Sequence, residues 1–141
     1  MLTEDTDDRI VRLLSRNADF SYKELAKRLM MNESTVRKRV ISLRRRGVIK
    51  GFLVDVDEEK MGYKSRVMLG IDVDPSKMME VGRKLVAIPE AKMVFNTSGG
   101  HDFQVVIWTR DRESLSKIIE NIGEFDGVTK ATPSFIVELL K

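Results

Sequence analysis

Apolar residues recur at helical spacing through the first third of the chain. Beyond that they fall at alternate positions, with further helical stretches in between. Ile10, Val11, Leu13 and Leu14, then Leu25, Ala26 and Leu29, then Val36, Val40 and Leu43 mark three helical stripes. The first predicts a helix from Leu2 to Arg16, with Thr3 or Thr6 as cap and Glu4, Asp5, Asp7 and Asp8 at the positive end of its dipole. Asn17 to Phe20 is the turn out of it. The second helix begins at Tyr22, because Ser21 and Glu24 have capping-box spacing and Phe20 and Leu25 can close a hydrophobic staple. A third runs from Glu33 to Arg46, with Asn32 as its cap and Met31 stapled on Val36. The joint between the second and third is only about three or four residues, a length that makes two helices cross steeply, as in a helix-turn-helix.

Gly47 is placed to stop the third helix in the left-handed conformation. Phe52, Val54 and Val56 then fall at the period of a strand, so Val48 to Asp57 reads as a wing or connecting strand covered on one side, though no hairpin partner lies beside it. Asp57 to Lys64 reads as a linker. From Ser65 the elements alternate. A strand, SRVMLGIDVD, is followed by a cap at Asp74 to Ser76 and a helix from Met78 to Ile88. A strand from Lys92 to Thr97 leads through the loop SGGHD to the strand FQVVIWT. A helix from Arg112 to Ile122 and a strand within Val128 to Leu140 complete the order βαββαβ. That is the ferredoxin-like split unit, a four-stranded antiparallel sheet with two helices on one face. The fold class is therefore α+β, divided as residues 1–50, a connecting strand and linker 51–64, and a second domain 65–141. Runs such as VMLGIDV and FQVVIW are apolar on both sides, so the open sheet face needs a cover, and a second identical sheet predicts a homodimer.

Charge changes this picture most in the third helix. Val36, Val40 and Leu43 share its buried stripe, with Ser34, Lys38 and Arg45 opposite and Arg37 and Arg44 flanking them. Six of the ten residues from Arg37 to Arg46 are basic and none is acidic. The chain carries net charge +3 with pI about 9.2. Met1 to Lys60 holds 14 basic against 11 acidic residues and the remainder 11 of each, so the excess lies in the helical part. A steeply crossed pair presenting such a helix suits double-stranded DNA, with Ser34, Thr35 and Lys38 reaching base edges and Arg37, Arg39, Arg44 and Arg45 gripping phosphates. Arg39, at the edge of the buried stripe, equally suits a structural partnership with an acid of the first helix.

Candidate chemistry elsewhere is sparse. There is no cysteine, hence neither a disulfide nor a thiolate metal site, and no signal or membrane-spanning run is seen, which predicts a cytoplasmic protein. Charged residues make up 33% of the chain against a single His, a balance compatible with a thermophile. His101 and Asp102 are half of a hydrolytic triad, but no second His and no nucleophile-elbow Ser accompany them, so no catalytic residue is assigned. The pair Gly99 and Gly100 matches no phosphate or dinucleotide fingerprint. A hairpin turn accounts for this loop. Its backbone N–H groups also suit a ligand carboxylate, and Asp102 its ammonium. Ser98, Gly99, Gly100, His101 and Asp102, with Thr132 and Ser134 on the last strand, are thus the candidate site for an amino acid. No metal or other cofactor is expected, and the eight methionines read as packing.

The segment ELAKRLMMNESTVRKRVISLRRRGVIKGF, together with Met61-Gly62-Tyr63, Ser98 to Asp102 and Gly127-Val128, resembles the leucine-responsive and asparagine-operon (Lrp/AsnC, feast/famine) regulators, most nearly the archaeal ones. The resemblance covers essentially the whole chain. It implies a winged-type helix-turn-helix joined to a RAM-type βαββαβ effector domain that dimerises through its sheet. It also implies further assembly into tetramers or octamers, with amino acids bound between dimers near the loop matched by Ser98 to Asp102. Where the family usually has Gly and Ser in the helix joint, this chain has Met30 and Asn32; a left-handed Met30 would cost about 1 kcal/mol, and Asn32 still caps. The function expected is a sequence-specific transcriptional regulator, not an enzyme, responding to an amino acid or related metabolite. The alternative is a ligand-binding regulatory subunit of a metabolic enzyme.

Overall fold

The computed structural model describes residues 6–138 and 140. The expected start of the first helix, with Thr3, Glu4 and Asp5, lies outside them. Helix α1 is described as Thr6–Arg16, α2 as Tyr22–Leu29 and α3 as Glu33–Arg45. The capping box of α2 is formed: the Glu24 N–H donates to Ser21 Oγ at 3.2 Å, and the Ser21 N–H donates to Glu24 Oε2 at 2.8 Å. Asn32 departs from expectation. It has the extended backbone of a cap, but its side chain makes no capping bond, so the first turn of α3 lacks that acceptor.

Both α2 and α3 stop in the same bonded pattern. At α2 the Met31 N–H reaches Ala26 O (3.0 Å) and the Met30 N–H reaches Lys27 O (3.4 Å), with Met30 left-handed at φ 54°, ψ 45°. At α3 the Val48 N–H reaches Leu43 O and the Gly47 N–H reaches Arg44 O, both at 3.0 Å, with Gly47 at φ 72°. This is the Schellman arrangement, which satisfies carbonyls that a helix end would leave unpaired. Ile10, Leu25, Val36 and Leu43 are fully buried between the three helices, with Phe20, Tyr22 and Met31 packed at the margin.

The strand expected over Val48 to Asp57 is not one. Residues 50–57 run without regular structure, with Leu53 91% and Val54 84% exposed. A strand needs a neighbour to take its N–H and C=O groups, and this segment has no ladder partner among the described residues. The expected linker is partly ordered: the Tyr63 N–H closes on Glu58 O at 2.9 Å, making one helical turn that ends at Gly62. By contacts the chain divides into two compact units between Asp55 and Val56.

The second unit has the predicted order: β1 Ser65–Val73, a 3-10 turn Pro75–Lys77, α4 Met78–Val86, β2 Ala91–Asn96, β3 Phe103–Thr109, α5 Arg112–Gly123 and β4 Val128–Phe135. The sheet order is β2-β3-β1-β4, every pair antiparallel. Val67, Leu69 and Ile71 of β1, with Val105 and Ile107 of β3, face α4 and α5 and close the core on Val81, Leu85, Leu115 and Ile122. Alternation then puts Met68, Gly70 and Asp72 on the outer face, beside Gln104, Val106, Met93 and Phe95.

Candidate nucleic-acid interface and ligand site

Helix α3 carries its basic residues where the sequence places them. Ser34, Arg37, Lys38, Arg44 and Arg45 are exposed, Thr35 and Arg39 half-buried, while Val36, Val40 and Leu43 are buried. Lys38 and Arg45 have no acidic partner among the described residues, so their charge is available to a polyanion. Arg37 is more constrained: its guanidinium lies 4.9 Å from the Tyr22 ring centre and its Nη2 3.4 Å from Glu33 Oε1. Arg44 stacks toward Phe52 at 5.9 Å. Arg39 donates from Nη1 to Asp7 Oδ1 at 2.9 Å, and Arg46 from Nη2 to Asp7 Oδ2 at 2.7 Å. Of the two readings open for Arg39, the geometry supplies the acid of the first helix.

Asp7 is 5% exposed. Burial by itself pushes its carboxyl upward, but the hydrogen bonds and charges of Arg39 and Arg46 outweigh this and hold it below its ordinary value. The bridge fastens α1 to α3 and so fixes the orientation of the basic helix. Its sequence signal was faint, since Asp7 is one of several acids near that terminus.

In the second unit the loop after β2 is fastened as a turn. The Thr97 N–H donates to Asp102 O at 2.9 Å, Thr97 Oγ1 to His101 O at 2.7 Å, and the Asp102 N–H to Ile71 O at 3.0 Å. Ser98, Gly99 and Gly100 are exposed at its tip, Gly99 at φ 125°. The carboxylate of Asp102 is already engaged, its Oδ2 accepting the Val73 N–H at 2.8 Å. His101 turns onto the outer face, where its Nδ1 lies 2.7 Å from Asp72 Oδ1. A Cβ at position 70 would overlap the imidazole, so a glycine there lets the ring lie against β1.

Register brings the last two candidates alongside: Thr132 pairs opposite Gly70 and Ser134 opposite Met68. The Thr132 hydroxyl oxygen is buried without a hydrogen-bond partner. Sequence reading missed Asp72 and Gly70. Their signal was the alternation of β1, but only the register shows that Asp72 shares a face with Thr132 and the His101 ring. Among the described residues no group of three or more His, Asp or Glu is placed to hold a metal ion, and no helix is long and apolar enough to cross a membrane.

Comparison with known proteins covers both units. The family model described as the AsnC-type helix-turn-helix domain matches residues 4–44, and that described as the Lrp/AsnC ligand binding domain matches residues 66–141. The HTH-type transcriptional regulator LrpA of Pyrococcus horikoshii is 39% identical over 99% of this chain and 100% of its own. LrpA1 of Halobacterium salinarum is 36% identical over 100% of each. Among solved structures, AsnC of E. coli superposes with TM-score 0.87 at 23% identity, covering 100% of this chain and 96% of that one. A transcriptional regulator of Neisseria meningitidis in complex with L-methionine superposes with TM-score 0.89 at 18% identity, covering 98% and 92%.

Proposed function

The chain belongs to the Lrp/AsnC family of helix-turn-helix, DNA-binding transcriptional regulators with a small-molecule ligand domain, and from that premise we propose which residues read DNA and what switches them. Ser34, Thr35 and Lys38 reach base edges in the major groove, and Arg37, Arg44 and Arg45 grip the flanking phosphates, with Arg39 acting mainly through Asp7. The observation that carries this reading is the exposed row Ser34, Lys38 and Arg45, without an acid against it, on a helix whose opposite side is fully buried. A recognition helix points its N-terminal half at the bases, and a basic last turn runs along the backbone.

The effector is an amino acid, held on the second unit around Ser98 to His101, Thr132 and Ser134. An amino acid carries both charges on one carbon, so it needs donors and an acceptor close together. The methionine complex of the Neisseria regulator supports this class of ligand. The protein acts as at least a dimer, joined through the outer sheet face. Met68, Met93 and Phe95 leave that face 42%, 53% and 48% exposed, and a second copy would cover them. Gel retardation on promoter DNA, including its own, at two salt concentrations tests the DNA reading. Retardation that weakens with salt is the expected result. No retardation at low salt would shift the helical unit to protein docking and the chain to an enzyme's regulatory subunit.

A further inference from the structure

Helix α3 carries arginines on both flanks of its outward row, and the two flanks meet different partners. At 100° per residue Arg37 and Arg44 lie about 20° apart on one flank, and Arg39 and Arg46 lie equally close together on the other. On the second flank both guanidiniums close on the buried carboxylate of Asp7, at 2.9 and 2.7 Å. A carboxylate fixes a guanidinium by offsetting its charge and taking up its N–H groups, so that flank ties α1 to α3. On the first flank the partners are aromatic. The Arg37 guanidinium lies 4.9 Å from the centre of the Tyr22 ring, and that of Arg44 lies 5.9 Å from the centre of Phe52. Tyr22 is half-buried at the start of α2 and packs on the helical core, whereas Phe52 is 47% exposed in the segment that follows α3.

Arg44 has no acidic partner among the described residues. Arg37 has Glu33, but that pair is 3.4 Å long with side chains 56% and 49% exposed, a geometry that holds little in water. A ring attracts a cation through its π face without cancelling the charge, and a guanidinium held over a ring keeps N–H edges free for phosphate oxygens. We propose that Tyr22 and Phe52 are positioning residues of the DNA-binding face, holding Arg37 and Arg44 as a pair of phosphate clamps about two turns apart on α3. This rests on the reading that α3 is the helix that meets DNA. Each ring limits the rotamers that its arginine explores in the free protein, so less freedom is lost when the phosphate arrives. Because Phe52 stands on the unladdered segment 50–57, the path of that segment sets where Arg44 points.

The test is a pair of double-mutant cycles on the full chain with promoter DNA from its own gene, read as Kd by fluorescence anisotropy at one salt concentration, with circular dichroism melts as the check on folding. Phe52→Leu keeps an apolar side chain and removes the ring. It weakens specific and scrambled duplexes alike by about two- to fivefold, the scale of an exposed cation–π contact. Phe52→Tyr keeps the native affinity. In an Arg44→Gln background Phe52→Leu has no further effect, because the ring acts only through that arginine. Tyr22→Leu, Tyr22→Phe and Arg37→Gln repeat the pattern for the other pair, and they carry the test if Phe52→Leu does not fold. Equal weakening by Phe52→Leu with and without Arg44 overturns the positioning role and makes the ring a DNA contact or a support of the fold. Unchanged affinity in both Phe52→Leu and Tyr22→Leu overturns it too, and leaves the DNA-binding reading standing. A native chain that does not bind promoter DNA at low salt overturns that reading and this proposal together.

Discussion

Met30 ends α2 in the left-handed region with its side chain 89% exposed, so it has a steric cost and little packing to offset it. Met30→Gly is expected to raise stability by about 1 kcal/mol, read as a higher urea midpoint at unchanged slope. Asp7 predicts the opposite sign. Removing it takes away a buried carboxylate that accepts from both Arg39 and Arg46, and Asp7→Ala is expected to cost about 2 kcal/mol, the scale of hydrogen bonds to charged groups. Because its folded carboxyl is held below the ordinary 3.8, its contribution is complete above that value and drains away as pH falls through the lower folded one. Urea melts of the native chain and Asp7→Asn should therefore differ at neutral pH and converge in acid. Asp102 is legible in the same way: Asp102→Ala orphans the Val73 N–H and should cost about 1–2 kcal/mol, while Asp102→Asn keeps an acceptor oxygen and should cost less.

At the scale of the element, α3 separates two tasks along its length. Lys38→Ala should relax sequence preference, whereas Arg45→Ala should weaken all sequences alike and reduce the salt slope by about one unit. Competition gel shifts with specific and scrambled duplexes read both quantities, and equal loss of specificity in the two variants would refute the division. The segment after α3 shows the limit of local pattern. Phe52, Val54 and Val56 alternate as a strand should, yet residues 50–57 stay unladdered, because alternation specifies a face and cannot supply a neighbour.

For the whole molecule, the outer sheet face and the exposed Leu53 and Val54 both expect a partner, and a second copy of the chain offers the same surfaces by symmetry. Light scattering at micromolar concentration should give at least twice the 16.2 kDa of one chain, and Met68→Asp should lower that mass. A two-fold dimer requires a pseudo-palindromic operator with half-sites about one helical turn, or a multiple of it, apart. Footprinting that found a single unrepeated half-site would contradict that symmetry.

Sequence alone determined what depends on neighbours along the chain. The Ser21 capping box, the stop at Gly47, the buried stripe of Val36, Val40 and Leu43, and the βαββαβ order all rest on caps, turns and periodicity, which act within a few residues. The basic face of α3 was legible for the same reason. Tertiary structure decided what depends on residues far apart in number: that Asp7 ties Arg39 and Arg46, that Asp102 serves the Val73 N–H, and that Asp72, Lys130, Thr132 and His101 share one patch of the sheet. These rest on strand register and helix packing. A one-residue slip would send each strand side chain to the opposite face, so only the folded sheet chooses which charges meet.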